Sequence, residues 1–244
     1  MSALLVSANG IPVGTIEIEN GRWKFSYAAE WKDYALSPNF PIATRKFEDT
    51  ADAKPVEWFF ENLLPEGRLR DLIAFRDRID PRDTWALLIR HGQDTAGALS
   101  LIPEGFDVAT EEILVPLARE ALQEKIEASR ARNLPLMASW EEIRMSLAGA
   151  QEKLGLRIDA HGAMFLPEGS APSTHIVKPE NASADFPHCP ANEFFCMRLA
   201  HELKVPVPAV GLLHLPEPLY VIERFDRVPL EQSAEKVAGT TFGR

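Results

Sequence analysis

Apolar and polar positions alternate near the N-terminus. In Thr15-Ile16-Glu17-Ile18-Glu19 and Trp23-Lys24-Phe25-Ser26-Tyr27 every second residue is apolar, which predicts strands with one buried face. Residues 4–7, 13–19 and 23–27 are separated by Asn9-Gly10 and Asn20-Gly21. Asn-Gly suits type I′ hairpins, whose two central residues need positive φ, so a β-meander is expected. The Pro-punctuated stretch 34–42 reads as extended. The period then changes to helical: Pro55 precedes Val56, Phe59, Phe60 and Leu63, and Leu64-Pro65-Glu66-Gly67 breaks the run. A second helix is expected over 68–78, and a third from Asp83 and Thr84 to His91-Gly92. Residues 96–102 form a short apolar strand, and the acidic stretch after Pro103-Glu104-Gly105 reads as a linker.

The second half opens with an extended run, 113–117, and a helix over 118–130. A β-rich pattern follows: strands at 144–147, 154–158, 163–166, 174–178, 209–214 and 219–225, with one helix over 190–203. Phe195, Leu199 and Leu203 recur four apart on that helix. The fold class is therefore α+β, with a domain at 1–105, a linker at 106–117 and a second domain at 118–244.

Composition narrows the function. Apolar residues make up 45% of the 244, which excludes a mostly disordered chain. The net charge of −10 argues against non-specific grip on nucleic acid by the chain as a whole. The N-terminus has no basic n-region, and the charge-free stretch 205–216 is too short and too proline-rich for a membrane span, which needs ~20 residues. Two cysteines fit free thiols in a reducing cytoplasm. His188, Cys189, Cys196 and His201 lack C-x-x-C spacing, and Cys196 and His201 point about 140° apart on a helix, so no zinc site is expected. No G-x-S-x-G elbow is present.

Three segments carry candidate chemistry, each with a plainer alternative. Ser146-Leu147-Ala148-Gly149-Ala150-Gln151-Glu152-Lys153 places small residues between two strands. It is either a phosphate-covering loop, whose backbone N–H groups form an anion nest, or an ordinary hairpin turn. Lys178 ends a strand and shares a face with Ile176, while Glu193 lies fifteen positions on, in the first turn of the expected helix. Strand lysine and helix glutamate are the ion pair that orients phosphates in protein kinases, or else a snorkelling lysine and a glutamate favoured by the helix dipole. Glu223-Arg224-Phe225-Asp226-Arg227 closes a strand, as an adenine hinge or as a salt-bridged strand end.

Together with Asn62-Leu63-Leu64-Pro65-Glu66-Gly67, Gly97–Pro103, Ser173–Lys178 and Asn192-Glu193, these motifs resemble the HipA family of bacterial toxin kinases across nearly the whole chain. The resemblance implies an N-terminal β-meander/helix subdomain followed by a protein-kinase-like small lobe, an antiparallel sheet with one αC-like helix. It implies ATP and Mg2+ as cofactors. Ala148, Gly149, Ala150, Gln151, Glu152 and Lys153 would cover ATP, Lys178 would contact its α/β-phosphates with Glu193 as ion-pair partner, and Glu223, Arg224 and Phe225 would form the adenine hinge. Ser146 matches the family's regulatory phosphorylation site. The implied activity is transfer of the ATP γ-phosphate to a serine of a translation protein, glutamyl-tRNA synthetase in the best-known relative, within a type II toxin-antitoxin system tied to persistence. The implied partner is a HipB-type antitoxin, through which DNA is contacted.

One departure stands out. The family's catalytic-loop Asp and its Mg2+ ligands follow the hinge in an Asp-Gly-His-x-x-Asn loop, and that motif does not occur in the 244 residues. Asp159-Ala160-His161-Gly162 lies in a hairpin ahead of the lysine strand and does not replace it. The expectation is two N-terminal subdomains of a longer kinase, inactive alone. The alternative is a non-catalytic module that binds an antitoxin or a separate kinase C-terminal half.

Overall fold

The computed structural model describes residues 3–93, 95, 98–106, 112–132, 136, 151–169, 171–180 and 186–226. It has two compact units: Met1–Glu111 with Glu127–Leu154, and Glu112–Ile126 with Gly155–Arg244.

The first unit holds a five-stranded antiparallel sheet of β1 (Leu4–Ala8), β2 (Ile11–Glu19), β3 (Arg22–Tyr27), β4 (Lys46–Glu48) and β5 (Leu99–Pro103), in the order β4-β3-β2-β1-β5. Asn9, Gly10, Asn20 and Gly21 all have φ between 51° and 78°, as a type I′ turn requires. On β3, Trp23, Phe25 and Tyr27 are buried while Lys24 and Ser26 are half-buried, so alternation sets the core face. Gly14 is dictated by close approach: a Cβ there would meet the Ser26 carbonyl oxygen at 2.2 Å.

Among the described residues three helices lie wholly within this unit: α1 (Pro55–Glu61), α2 (Gly67–Asp77) and α3 (Thr84–His91). Asp83 caps α3 by accepting the Ala86 N–H. Helix α1 is capped from a distance, because the buried Asp49 carboxylate accepts the N–H groups of Val56 at 2.8 Å and Glu57 at 3.0 Å. Phe25 is fully buried at the centre of an aromatic cluster, 4.7 Å from Tyr27 and 5.7 Å from both Phe40 and Phe60, centroid to centroid.

The stretch 34–42, expected to be extended, is instead a series of turns closed by a 3-10 turn at Ile42–Thr44. Phe40 is driven into the core, and the Tyr27 hydroxyl holds the loop by donating to the Phe40 carbonyl and accepting the Leu36 N–H. Such long-range anchoring leaves no local period in the sequence. Strand β4 was not anticipated either, because three residues are too few to show alternation.

The second unit holds a six-stranded sheet, ordered β10-β11-β9-β7-β8-β6. Its strands are β6 (Glu112–Leu117), β7 (Leu154–Ile158), β8 (Met164–Gly169), β9 (His175–Lys178), β10 (Val210–Leu215) and β11 (Glu217–Glu223). The pairs β6–β8, β7–β8, β9–β11 and β10–β11 are antiparallel. The extended run expected over 113–117, at the end of the linker, is strand β6, an edge position where Pro116 is tolerated. Helix α4 (Arg119–Ala131) carries the chain from residues of the second unit to residues of the first. Helix α5 (Cys189–Glu202) packs against β10 and β11. The expected strand at 144–147 lies outside the described residues.

Candidate functional site

The candidate site is built on β9, β11 and α5. Antiparallel register puts Tyr220 of β11 opposite Lys178 of β9. The Lys178 ammonium donates to Glu193 Oε2 at 2.6 Å and lies 5.6 Å from the Tyr220 ring centroid. Tyr220 is almost wholly buried. Burial, and after it the Glu193 charge, push its hydroxyl up to about 12, so it stays protonated beside the ion pair. The Lys178 and Glu193 side chains keep 21% and 28% of their surface open, so the pair faces solvent on one side.

Helix α5 starts at Cys189, so Glu193 is its fifth residue and sits past the expected first turn. The helix starts there because His188 takes a left-handed conformation (φ 62°) and Glu180 Oε1 accepts the Cys189 N–H at 3.1 Å. Glu180 follows Lys178 by two residues, so the end of β9 supplies both the lysine and the group that anchors its partner helix.

The end of β11 is held differently. The Glu223 N–H donates to the Ala209 carbonyl, and the Arg224 N–H to the Thr174 carbonyl. The Arg224 guanidinium is buried: Nε and Nη2 donate to the two Asp226 carboxylate oxygens at 3.0 and 2.6 Å, and Nη1 to Ser173 Oγ at 2.8 Å. Phe225, between the bonded Arg224 and Asp226, is 87% exposed. Opposite Glu223 stands His175, whose ring is held below its ordinary pKa by burial, with the Glu223 charge opposing.

Of the other expected site residues, Gln151, Glu152 and Lys153 fall within the first compact unit and are half-buried. Burial pushes the Glu152 carboxyl up, against the opposing effect of the Leu136 N–H and of Arg130 and Arg68. Ser146, Ala148, Gly149 and Ala150 lie outside the described residues. Among the described residues no group of three His, Cys, Asp or Glu side chains converges as a metal site. None of the described helices is long and apolar enough to cross a membrane.

Tyr220 and Glu180 are missing from the sequence expectations, and Ser173 and Asp226, though they lie in the motifs named there, carry no individual role in them. Tyr220 could have been found from the antiparallel register of β9 and β11, and Asp226 from its i+2 spacing to Arg224. Ser173, 51 residues from Arg224, leaves no local signal.

Comparison with known proteins bears on this geometry. A family model for the HipA N-terminal domain matches residues 4–102, and one for the HipA-like C-terminal domain matches 145–242. The serine/threonine-protein kinase toxin HipA of Shewanella oneidensis is 34% identical over 212 residues, 84% of this chain and 46% of that protein. The putative kinase Y4mE of Sinorhizobium fredii is 35% identical over 213 residues, 83% of this chain and 49% of that protein. A solved complex of HipA, HipB and operator DNA from Shewanella oneidensis MR-1 superposes with a TM-score of 0.70 at 29% identity, covering 93% of this chain and 51% of that one. The chain spans about half the length of these relatives.

Proposed function

The chain belongs to the HipA family, and from that premise we propose that its second unit carries the nucleotide-facing part of a serine/threonine protein kinase toxin. The observation that carries the reading is the 2.6 Å ion pair between the last residue of β9 and α5. A lysine ammonium so held is a fixed point charge for α/β-phosphates. Glu193 and the Tyr220 ring keep it from collapsing onto other acceptors while one side stays open. In this reading Glu223, Arg224 and Phe225 form the nucleobase edge, and the family resemblance assigns the covering of the phosphates to Ala148 through Lys153. Phosphorylation of Ser146 adds about two negative charges beside that loop and repels ATP.

The 244 residues contain no Asp-Gly-His-x-x-Asn loop to orient an acceptor hydroxyl or hold Mg2+. In this reading the 244 residues alone bind nucleotide weakly at best and do not transfer its phosphate. In the whole kinase the γ-phosphate goes from Mg-ATP to a serine of a translation protein such as an aminoacyl-tRNA synthetase. The solved neighbour is bound to HipB and operator DNA, which supports a HipB-type antitoxin as partner. The net charge of −10 supports leaving DNA contact to that antitoxin. Free thiols at Cys189 and Cys196 support a cytoplasmic setting.

A second reading, a non-catalytic module that docks a separate kinase C-terminal half, is favoured by the exposure of Phe195 and Leu199 on α5 and of Leu203 at its C-terminal cap. Calorimetric titration with Mg-ATP separates the two. The kinase reading expects saturable binding that Lys178→Met weakens about tenfold, the scale of a lost charge-assisted contact. Binding of no nucleotide would leave the docking reading. Strong self-phosphorylation of the purified chain would refute its inactivity.

A further inference from the structure

The nucleobase edge just proposed has a feature that the nucleotide itself does not explain. Arg224 lies within it, yet its side chain is turned inward with 1% of its surface open. The guanidinium forks onto both oxygens of Asp226 two residues on, which closes a ring around Phe225 and turns that ring outward. A further hydrogen bond, from Nη1, reaches the Ser173 hydroxyl, itself buried. Ser173 adjoins Thr174, whose carbonyl accepts the Arg224 N–H. Thr174 in turn donates its N–H to the Leu156 carbonyl of β7 and accepts the Ile158 N–H on its hydroxyl. The turn at 224–226 is thus clamped at backbone and side chain to the segment leading into β9, and through it to β7.

We infer that Arg224 is a positioning residue for nucleobase recognition: through Asp226 and Ser173 it sets the backbone after β11 and presents Phe225, without touching the nucleotide. The inference rests on the nucleotide-binding reading above. A planar exposed ring beside a fixed strand end can distinguish one nucleobase from another only while that strand end is rigid. A lysine at 224 keeps the charge but cannot fork onto Asp226, because its ammonium is a single point donor.

The test measures dissociation constants of the full chain for ATP, GTP and inorganic tripolyphosphate, alongside its melting temperature. Arg224→Lys is expected to weaken ATP about tenfold and tripolyphosphate less than about twofold, and to bring the ATP-to-GTP preference close to one. Ser173→Ala removes one hydrogen bond and is expected to act in the same direction, about threefold. It provides the decisive readout if Arg224→Lys does not fold. Equal weakening of ATP and tripolyphosphate would mean a merely structural clamp and overturn the inference, as would a wild-type ATP-to-GTP preference in a folded variant. If the wild-type chain does not prefer ATP to tripolyphosphate, the nucleotide reading itself falls, and this inference with it.

Discussion

Replacing Glu193 by Gln removes one charge and keeps the shape of the side chain. At the observed 2.6 Å, Lys178 loses its ionic partner and retains an amide oxygen and the Tyr220 ring. Two unit charges about 4 Å apart attract by about 4 kcal/mol at an effective dielectric near 20, and desolvation and lost rotamer freedom offset most of that. Exposed pairs net about 0.2–1 kcal/mol, whereas breaking a buried pair costs about 3–5 kcal/mol. With 21% and 28% of the two side chains open, this pair falls between those cases, nearer the exposed one. The expected loss is about 1.5 kcal/mol, or about 6 °C in the melting temperature of a unit of this size. ATP affinity is expected to fall about fivefold, since the ammonium is no longer held toward one side. Urea denaturation and calorimetric ATP titration check both numbers, and the stability deficit should shrink in about 1 M salt. If Glu193→Gln stays within about 0.3 kcal/mol of the parent and binds ATP equally well, the pair does not orient Lys178.

Two further outcomes follow from the described contacts, and a third from the proposed role of Ser146. His91 donates to Asp77 at 2.6 Å, and burial holds its ring below the ordinary value of 6.5 despite that carboxylate. Between that lowered value and 6.5 the unfolded chain binds more protons, so urea stability should fall as pH drops from 7.5 to 5.5, and His91→Asn should flatten the slope. A parent chain equally stable at both pH values would contradict this. Asp49→Ala removes the carboxylate that accepts two N–H groups of α1 and should destabilise the first unit by about 1–2 kcal/mol, read by urea midpoint. Ser146→Asp should abolish ATP binding while leaving the melting temperature unchanged, and intact affinity would sink the proposed off-switch.

Local signals were legible in the sequence. Asn9-Gly10 and Asn20-Gly21 announce the hairpins through their positive φ, and Asp83 announces the start of α3. The contact between Lys178 and Glu193 follows from a strand that ends on lysine and a helix that starts at Cys189. What stayed hidden depends on distant partners. The turns at 34–42 form because Phe40 enters the core and Tyr27 ties the loop down, neither of which leaves a period. Arg224 read as part of an adenine hinge or of a salt-bridged strand end, and its burial was hidden because it depends on Ser173, far away in the chain.

The claim that Lys178 meets the phosphates of a nucleotide can be tested on the chain itself, with an ATP acyl-phosphate that acylates lysines next to the bound phosphates. Peptide mapping is expected to find Lys178 modified first, and excess ATP to protect it. Acylation spread over exposed lysines such as Lys54, with Lys178 modified no faster and unprotected by ATP, would contradict the account.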